Sequence, residues 1–203
     1  MMKLRKLNNK GFTLIELLAV VVILAVVMGI AMTSVLSSMN KARGGSLQDS
    51  AVTISQAFNQ KYTESLVDGV PSNVYGDVLN NKGYNFQSTQ AYYISSKLAN
   101  TFNISKSAYQ LDGGQVNGVQ DATAATMKLS SGATNVSDSF VYFNATDAKF
   151  VVCMFANKSG SYYVDNYKKN NTAASSFKDI TPSFNFTAAK DTMFACSDGT
   201  KSW

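Results

Sequence analysis

Apolar positions follow two different rhythms along the first third of this chain. From Phe12 to Leu36 the sequence reads "FTLIELLAVVVILAVVMGIAMTSVL", and between Leu17 and Met32 no charged or strongly polar side chain occurs. A helix of that composition is greasy on every side, as a segment placed away from water must be. It would rise about 37 Å at about 1.5 Å per residue, enough to span a hydrocarbon core of about 30 Å. From Leu47 the pattern changes. Apolar residues fall at Leu47, Ala51, Ile54, Phe58, Tyr62 and Leu66, steps of three and four that predict a single apolar helix face directed at a core. Asp68-Gly69-Val70-Pro71 then supplies a stop. One helix from about Phe12 to about Val67 is therefore expected, hydrophobic in its first half and amphipathic in its second. Gly44-Gly45 lies between the halves. Each glycine costs about 1 kcal/mol relative to alanine inside a helix, so a kink or a locally melted stretch is expected there.

Beyond about residue 69 the chain is rich in Asn, Ser, Thr and Gly, with short apolar runs. "STQAYYISSKLANTF" (88–102) reads as a short helix, and "AYQLDGG" and "TMKLSS" as strands. Stronger strand signals follow in "DSFVYFNA", "AKFVVCMFAN" and "GSYYVDNYK", β-branched and aromatic runs separated by "NATDA" and "NKSGS". They predict an antiparallel meander. "SFNFT" and "TMFACS" lie in the tail. The alternating tyrosines and phenylalanines read as sheet core rather than as a ligand site.

Charge changes the picture at one end only. The formal charge is +5 at pH 7, and Lys3, Arg5, Lys6 and Lys10 precede the apolar run without any acid among them. Without those four cations, 14 basic residues face 13 acidic ones, a balance of +1. A basic surface able to neutralise nucleic-acid phosphates is thus not expected, and nucleic acid is not an expected partner. A basic leader before an apolar run is a targeting segment. It should keep its charges on the cytoplasmic side and place everything after about residue 36 outside. In that compartment an isolated pair, Cys153 and Cys196, reads as one disulfide, with two buried free thiols as the alternative. Closing a loop of 43 residues would stabilise the head by about 4 kcal/mol on the chain-entropy model.

Catalysis is not expected. The chain has no histidine, no nucleophile elbow and no metal-ligand spacing, and no cofactor is implied. Asp68, Asp112 and Asp198 stand beside glycines, where turns use aspartate. Asp191 and Asp198 flank a C-terminal loop. No run of alternating acids supports an ion there, so they read as solvated turn residues. Asn-x-Ser/Thr tripeptides at Asn103, Asn135, Asn144, Asn157 and Asn185 read as chance in an Asn/Ser/Thr-rich chain. Lys41 and Arg43 read as solvent-facing, or as covering a neighbour's polar surface.

The stretch "KGFTLIELLAVVVILAVVMGIAMTS" closely resembles the N-terminus of type IV prepilins. In that family a basic leader ending in glycine is cut before the following phenylalanine by a membrane peptidase, which also methylates the new N-terminus. The resemblance implies cleavage between Gly11 and Phe12 and N-methylation of Phe12. It also implies an assembly role for Glu16, whose carboxylate would lie bare until it meets the N-terminal amine of a neighbouring subunit; a lone charge at a membrane boundary is costly and is usually paired. Many relatives carry proline where the apolar run ends. Thr33 stands at that place, so any flexibility would come from Gly29, Gly44-Gly45 or the side-chain bonds of Thr33 and Ser34.

The implied architecture is α+β, the pilin fold: a long N-terminal α-helix packed on an antiparallel β-sheet head. The expected organisation is a leader at 1–11, a transmembrane and filament-core helix at 12–38, an amphipathic half at 39–68 and a globular head at 69–203. The implied function is a structural subunit of a surface filament, a helical homo-oligomer serving adhesion, motility or biofilm formation. Its partners would be the membrane before assembly, the prepilin peptidase, and an assembly platform with its ATPases. Two alternatives remain: a pseudopilin of a type II secretion or DNA-uptake system, and a secreted binding protein released by cleavage after the apolar segment.

Overall fold

The computed structural model describes residues 12–67, 90–96, 99, 102–113, 128–144, 146–164 and 184–202. Helix α1 spans Leu14–Val67, matching the predicted limits to within two residues at its start. It stays helical through Gly44 and Gly45, so the melted stretch expected there does not occur. Once a helix is nucleated on both sides, each further residue adds a hydrogen bond, and two glycines do not overcome that gain. The predicted stop at 68–71 lies outside the described residues.

The chain divides into two compact units, residues 1–41 and 42–203. In the first, residues 12–41 are all exposed. Among its described residues the second contains the rest of α1 and seven strands: β1 Gln90–Tyr93, β2 Lys128–Ser130, β3 Ala133–Val136, β4 Phe140–Asn144, β5 Lys149–Phe155, β6 Phe186–Ala188 and β7 Phe194–Ser197. Five of them form an antiparallel sheet in the order β2-β1-β4-β5-β7, while β3 and β6 pair in parallel beside it. The architecture is α+β and pilin-like, a helix packed on an antiparallel sheet.

Both faces of the sheet are buried, which explains why its central strands read as nearly continuous apolar runs. Along β5 the side chains alternate. Phe150, Val152 and Met154 join Leu47, Ala51, Ile54 and Phe58 of α1 in one cluster. Val151, Cys153 and Phe155 join Phe184 and Phe186 in a second. The aromatic rings are therefore core, as the alternation implied. Phe58 stacks on Phe102 with centroids 4.1 Å apart, and Phe155 stacks on Phe194 at 4.9 Å. The predicted helix face fades toward its end: Tyr62 is half-buried and Leu66 is 49% exposed.

Polar side chains of α1 finish what the strands leave open. Strand β7 ends at Ser197, opposite Val152, short of the level of Phe150. Asn59 takes the place. Its Oδ1 accepts from Phe150 N at 2.7 Å and its Nδ2 donates to the carbonyl of Asp198 at 3.0 Å. Ser55 Oγ, fully buried, donates to the Phe150 carbonyl at 2.8 Å.

Three sequence expectations need correction. Residues 90–93, expected within a helix, form β1, with Ala91 and Tyr92 buried in opposite clusters; a paired aromatic fits a pleated surface better than a helix. "AYQLDGG" over its described part, 108–113, contributes an isolated bridge, Tyr109 to Ala156, and no strand. "GSYYVDNYK" is not the third strand of the meander over its described part, 160–164. Asn157 turns the chain: Gly160 N donates to its carbonyl at 2.7 Å and Ser159 N to its Oδ1 at 3.1 Å. The position beside β5 goes instead to β7, whose Cys196 lies directly opposite Cys153.

Candidate functional site

The residues singled out for processing and assembly lie at the start of α1. Phe12 is 88% exposed and precedes the helix. Thr13 caps it. Thr13 Oγ1 accepts from Glu16 N at 3.3 Å, while Glu16 Oε2 accepts from Thr13 N and from Thr13 Oγ1, both at 2.8 Å. This is a reciprocal capping box, in which Thr-x-x-Glu satisfies donors that a helix N-terminus leaves orphaned. The carboxylate also sits at the positive end of the helix dipole. Glu16 is therefore held by its own first turn. Among the described residues no cation meets it. Thr13 was the overlooked partner, and the Thr-x-x-Glu spacing before an apolar run was its signal. Gly11 and the leader lie outside the described residues.

The helix that follows is long and apolar enough to cross a membrane. Its large apolar side chains are exposed all round, among them Leu17, Val21, Leu24, Met28 and Met32. At the place where the prepilin resemblance leads one to look for proline, Thr33 Oγ1 donates to the carbonyl of Ile30 at 3.0 Å. The helix continues through Gly29 and Thr33 alike.

In the second unit Cys153 and Cys196 are joined across β5 and β7, with Cα atoms 4.0 Å apart, and both are buried. Asp191 and Asp198 do not share a site. Asp198 Oδ1 accepts from Thr200 N, Thr200 Oγ1 and Lys201 N, each at 2.7 Å. Burial pushes its carboxyl pKa up, but those bonds and the charge of Lys149 outweigh it and hold the group below the usual carboxylate range. Asp191 has a left-handed backbone, φ 56°, and its carbonyl accepts from Tyr163 Oη at 3.1 Å. Among the described residues no three acidic or sulfur side chains gather as a metal would require. Arg43, read as solvent-facing, donates from Nη1 to the carbonyl of Tyr163 at 3.2 Å. Of the sequon asparagines, Asn103 and Asn135 are exposed and Asn144 is buried against Asp147.

Residues 6–32 match the family described as the prokaryotic N-terminal methylation motif, the type IV prepilin signature. The match covers the Gly11-Phe12 junction and α1 as far as Met32. Such a motif implies processing by a prepilin peptidase and handling by pilus-type assembly machinery. With the long apolar helix it fits a membrane-anchored precursor. No curated protein and no solved structure matches the chain.

Proposed function

We propose that the chain is a type IV pilin, a structural subunit cleaved between Gly11 and Phe12, methylated on Phe12 and polymerised into a surface filament. The observation that carries this reading is the methylation motif at residues 6–32 leading into a helix whose apolar side chains are exposed. Each of those side chains must be covered by something apolar, first lipid and then copies of the same helix. Hydrocarbon is as apolar as leucine, so the move from lipid to bundle gains nothing from water exclusion and must be driven by packing and polar contacts. Glu16 supplies the polar contact. Cleavage creates an amine on Phe12, and the amine of an incoming copy can take one oxygen of Glu16 while Thr13 holds the other. That exchange fixes axial register, the best-attested use of a polar group in an apolar interface. In this reading residues 1–11 are the discarded leader, 12–38 the filament core, 39–68 the helical support and 69–203 the head. An assembly platform and its ATPases supply the work, and adhesion, motility or biofilm formation is the use.

Mass spectrometry of filaments sheared from cells tests it. A subunit beginning at N-methylated Phe12 and abundant in that fraction is the expected result. The same terminus found only in membranes would move the protein to the pseudopilins. A soluble protein beginning after Met32 would end the reading.

A further inference from the structure

A second candidate site lies wholly within residues 42–203 and does not depend on the filament proposal. A cleft of about 500 Å³ opens between α1 and the 102–105 loop, within the range of about 300–1,000 Å³ that small-molecule sites occupy. One wall is a polar row along α1: Ser46, Asp49, Ser50 and Thr53. The opposite wall carries Asn103 and Ser105, and Tyr109 and Tyr162 line the same cleft. The rings of Tyr109 and Tyr162 lie 5.4 Å apart, and Tyr162 is half-buried.

The hydrogen-bonding capacity of the walls defines the ligand. Ser50 Oγ donates to the Ser46 carbonyl at 2.8 Å and Thr53 Oγ1 to the Asp49 carbonyl at 3.0 Å. Both hydroxyl protons are turned back into the helix; Ser50 Oγ also meets Tyr162 Oη at 3.3 Å, which leaves Thr53 Oγ1 to offer its lone pairs to the cleft. The Asp49 carboxylate is exposed and makes no hydrogen bond among the described residues. The helix wall is therefore rich in acceptors, and a fitting ligand must offer several donors along one edge. Asn103, exposed and likewise without a hydrogen bond among the described residues, faces the ligand with both donors and an acceptor. Among the described residues Asp49 is the only charged side chain of the lining, which disfavours phosphates and carboxylates. A simple ammonium would satisfy Asp49 but leave the Asn103 amide donors with nothing to meet. A ring bearing several hydroxyls satisfies both walls and lays its C–H surface against the half-buried ring of Tyr162, since Tyr109 is itself buried. We propose that this cleft binds a neutral sugar, one hexose residue at a time, held by Asp49 and Asn103 against Tyr162.

Saturation-transfer NMR on the full chain in lipid nanodiscs tests the site. Glucose, galactose, mannose and N-acetylglucosamine would be offered separately, with n-butylammonium as the cationic probe. At least one hexose is expected to bind, with transfer concentrated on its ring C–H protons. Asp49→Asn and Asn103→Gly should each weaken it about tenfold, as loss of a charged or well-placed hydrogen bond does. Glycine accepts the left-handed backbone of Asn103, φ 53°, without strain. Gln56→Ala, at a separate cleft, should leave binding unchanged. Melting curves of the variants would verify that the head remains folded. Absence of any hexose signal, a signal indifferent to both substitutions, or binding of butylammonium in place of the hexoses would each overturn the proposal. None of these results bears on whether Phe12 is methylated in a filament, so the two readings fail independently.

Discussion

Helix α1 carries two chemistries on one backbone geometry. Between Phe12 and Lys41 no described side chain is buried, although most are apolar. Between Leu47 and Phe58 four apolar side chains at steps of four, three and four disappear into the core. The backbone does not distinguish the halves, since both are helical without interruption. What differs is spacing. Apolar residues on every side leave no polar face to turn toward water, so the first half needs lipid or other helices around it. A single stripe can be satisfied by one sheet, so the second half finds its partner within the same chain. Propensity builds the helix, and periodicity decides whether its partner is intramolecular.

The contrast is broken most directly by truncating one side chain in each half. Phe58 is fully buried and contacts Phe102 and Phe150. Phe58→Ala should destabilise the head by about 3–5 kcal/mol, the usual cost of emptying an aromatic site. Leu24→Ala removes a side chain that is 52% exposed and should leave head stability unchanged. Urea unfolding of both variants, followed by tyrosine fluorescence, reads the difference. Equal effects would mean that the two halves are not energetically distinct.

Next in size is the bridge between β5 and β7. Reduction, or Cys153→Ala with Cys196→Ala, frees a loop of 43 residues and should cost about 3–4 kcal/mol. The whole loss should appear in the unfolding of the 42–203 unit. Helicity of the apolar half, measured by circular dichroism in micelles, should stay as it was.

How far the contrast was legible in the sequence follows from the range of each interaction. The stripe at Leu47, Ala51, Ile54 and Phe58 was readable because helix geometry alone fixes which residues share a face. Strands β4 and β5 were readable for a similar reason, as runs buried on both sides. The error at 90–93 arose because four residues carry little periodicity and their state is decided by β2 and β4 on either side. The choice of β7 over "GSYYVDNYK" was a long-range pairing that no local pattern encodes. Thr13 was different, because Thr-x-x-Glu is local and legible; attention to the charge of Glu16 hid its role as a cap. The Asp49 and Asn103 cleft joins segments about fifty residues apart and had no sequence signal.

Asn59 sharpens the comparison within the second half, since it shows α1 acting through polar as well as apolar groups. Asn59→Ala would leave the Phe150 N–H without its 2.7 Å acceptor in a partly buried place. The expected loss is about 1–3 kcal/mol. Gln60→Ala, one position away on the exposed side, should stay within about 0.5 kcal/mol of the parent. A smaller effect at Asn59 would show that water replaces the side chain there.

Asp198 adds a pH dependence confined to the same unit. Its carboxyl pKa is lower in the folded protein than in the unfolded chain. The stability it contributes is therefore fully present above the usual carboxylate range and is lost as pH falls through the lower, folded value. Asp138 runs the other way. Burial, with the nearby charge of Asp112 and against hydrogen bonds from Ser137 and Gln110, raises its pKa. Its contribution is present at low pH and lost as pH rises through the folded value. Asp198→Asn should flatten the acid limb of the stability profile, and Asp138→Asn should raise stability at neutral pH relative to acid. Urea midpoints across pH 3 to 7 for each variant check both signs.

The smallest effect lies at the far end of the helix and separates capping from assembly. Thr13→Ala removes the acceptor of the Glu16 N–H and one donor to its carboxylate. Loss of an N-cap costs about 1 kcal/mol, felt only in the first turn. It should appear as about fivefold faster amide exchange at Glu16, with exchange at Phe58 unchanged. Glu16→Gln keeps an acceptor for the Thr13 N–H but removes the charge. If Glu16 served only as a cap, Glu16→Gln would assemble into filaments normally and Thr13→Ala would be the more harmful change. If its charge pairs with the Phe12 amine of a neighbouring copy, the order reverses: Thr13→Ala frays and still assembles, while Glu16→Gln keeps its first turn and fails to polymerise. Counting sheared filaments from the two strains distinguishes these outcomes without any measurement on the head.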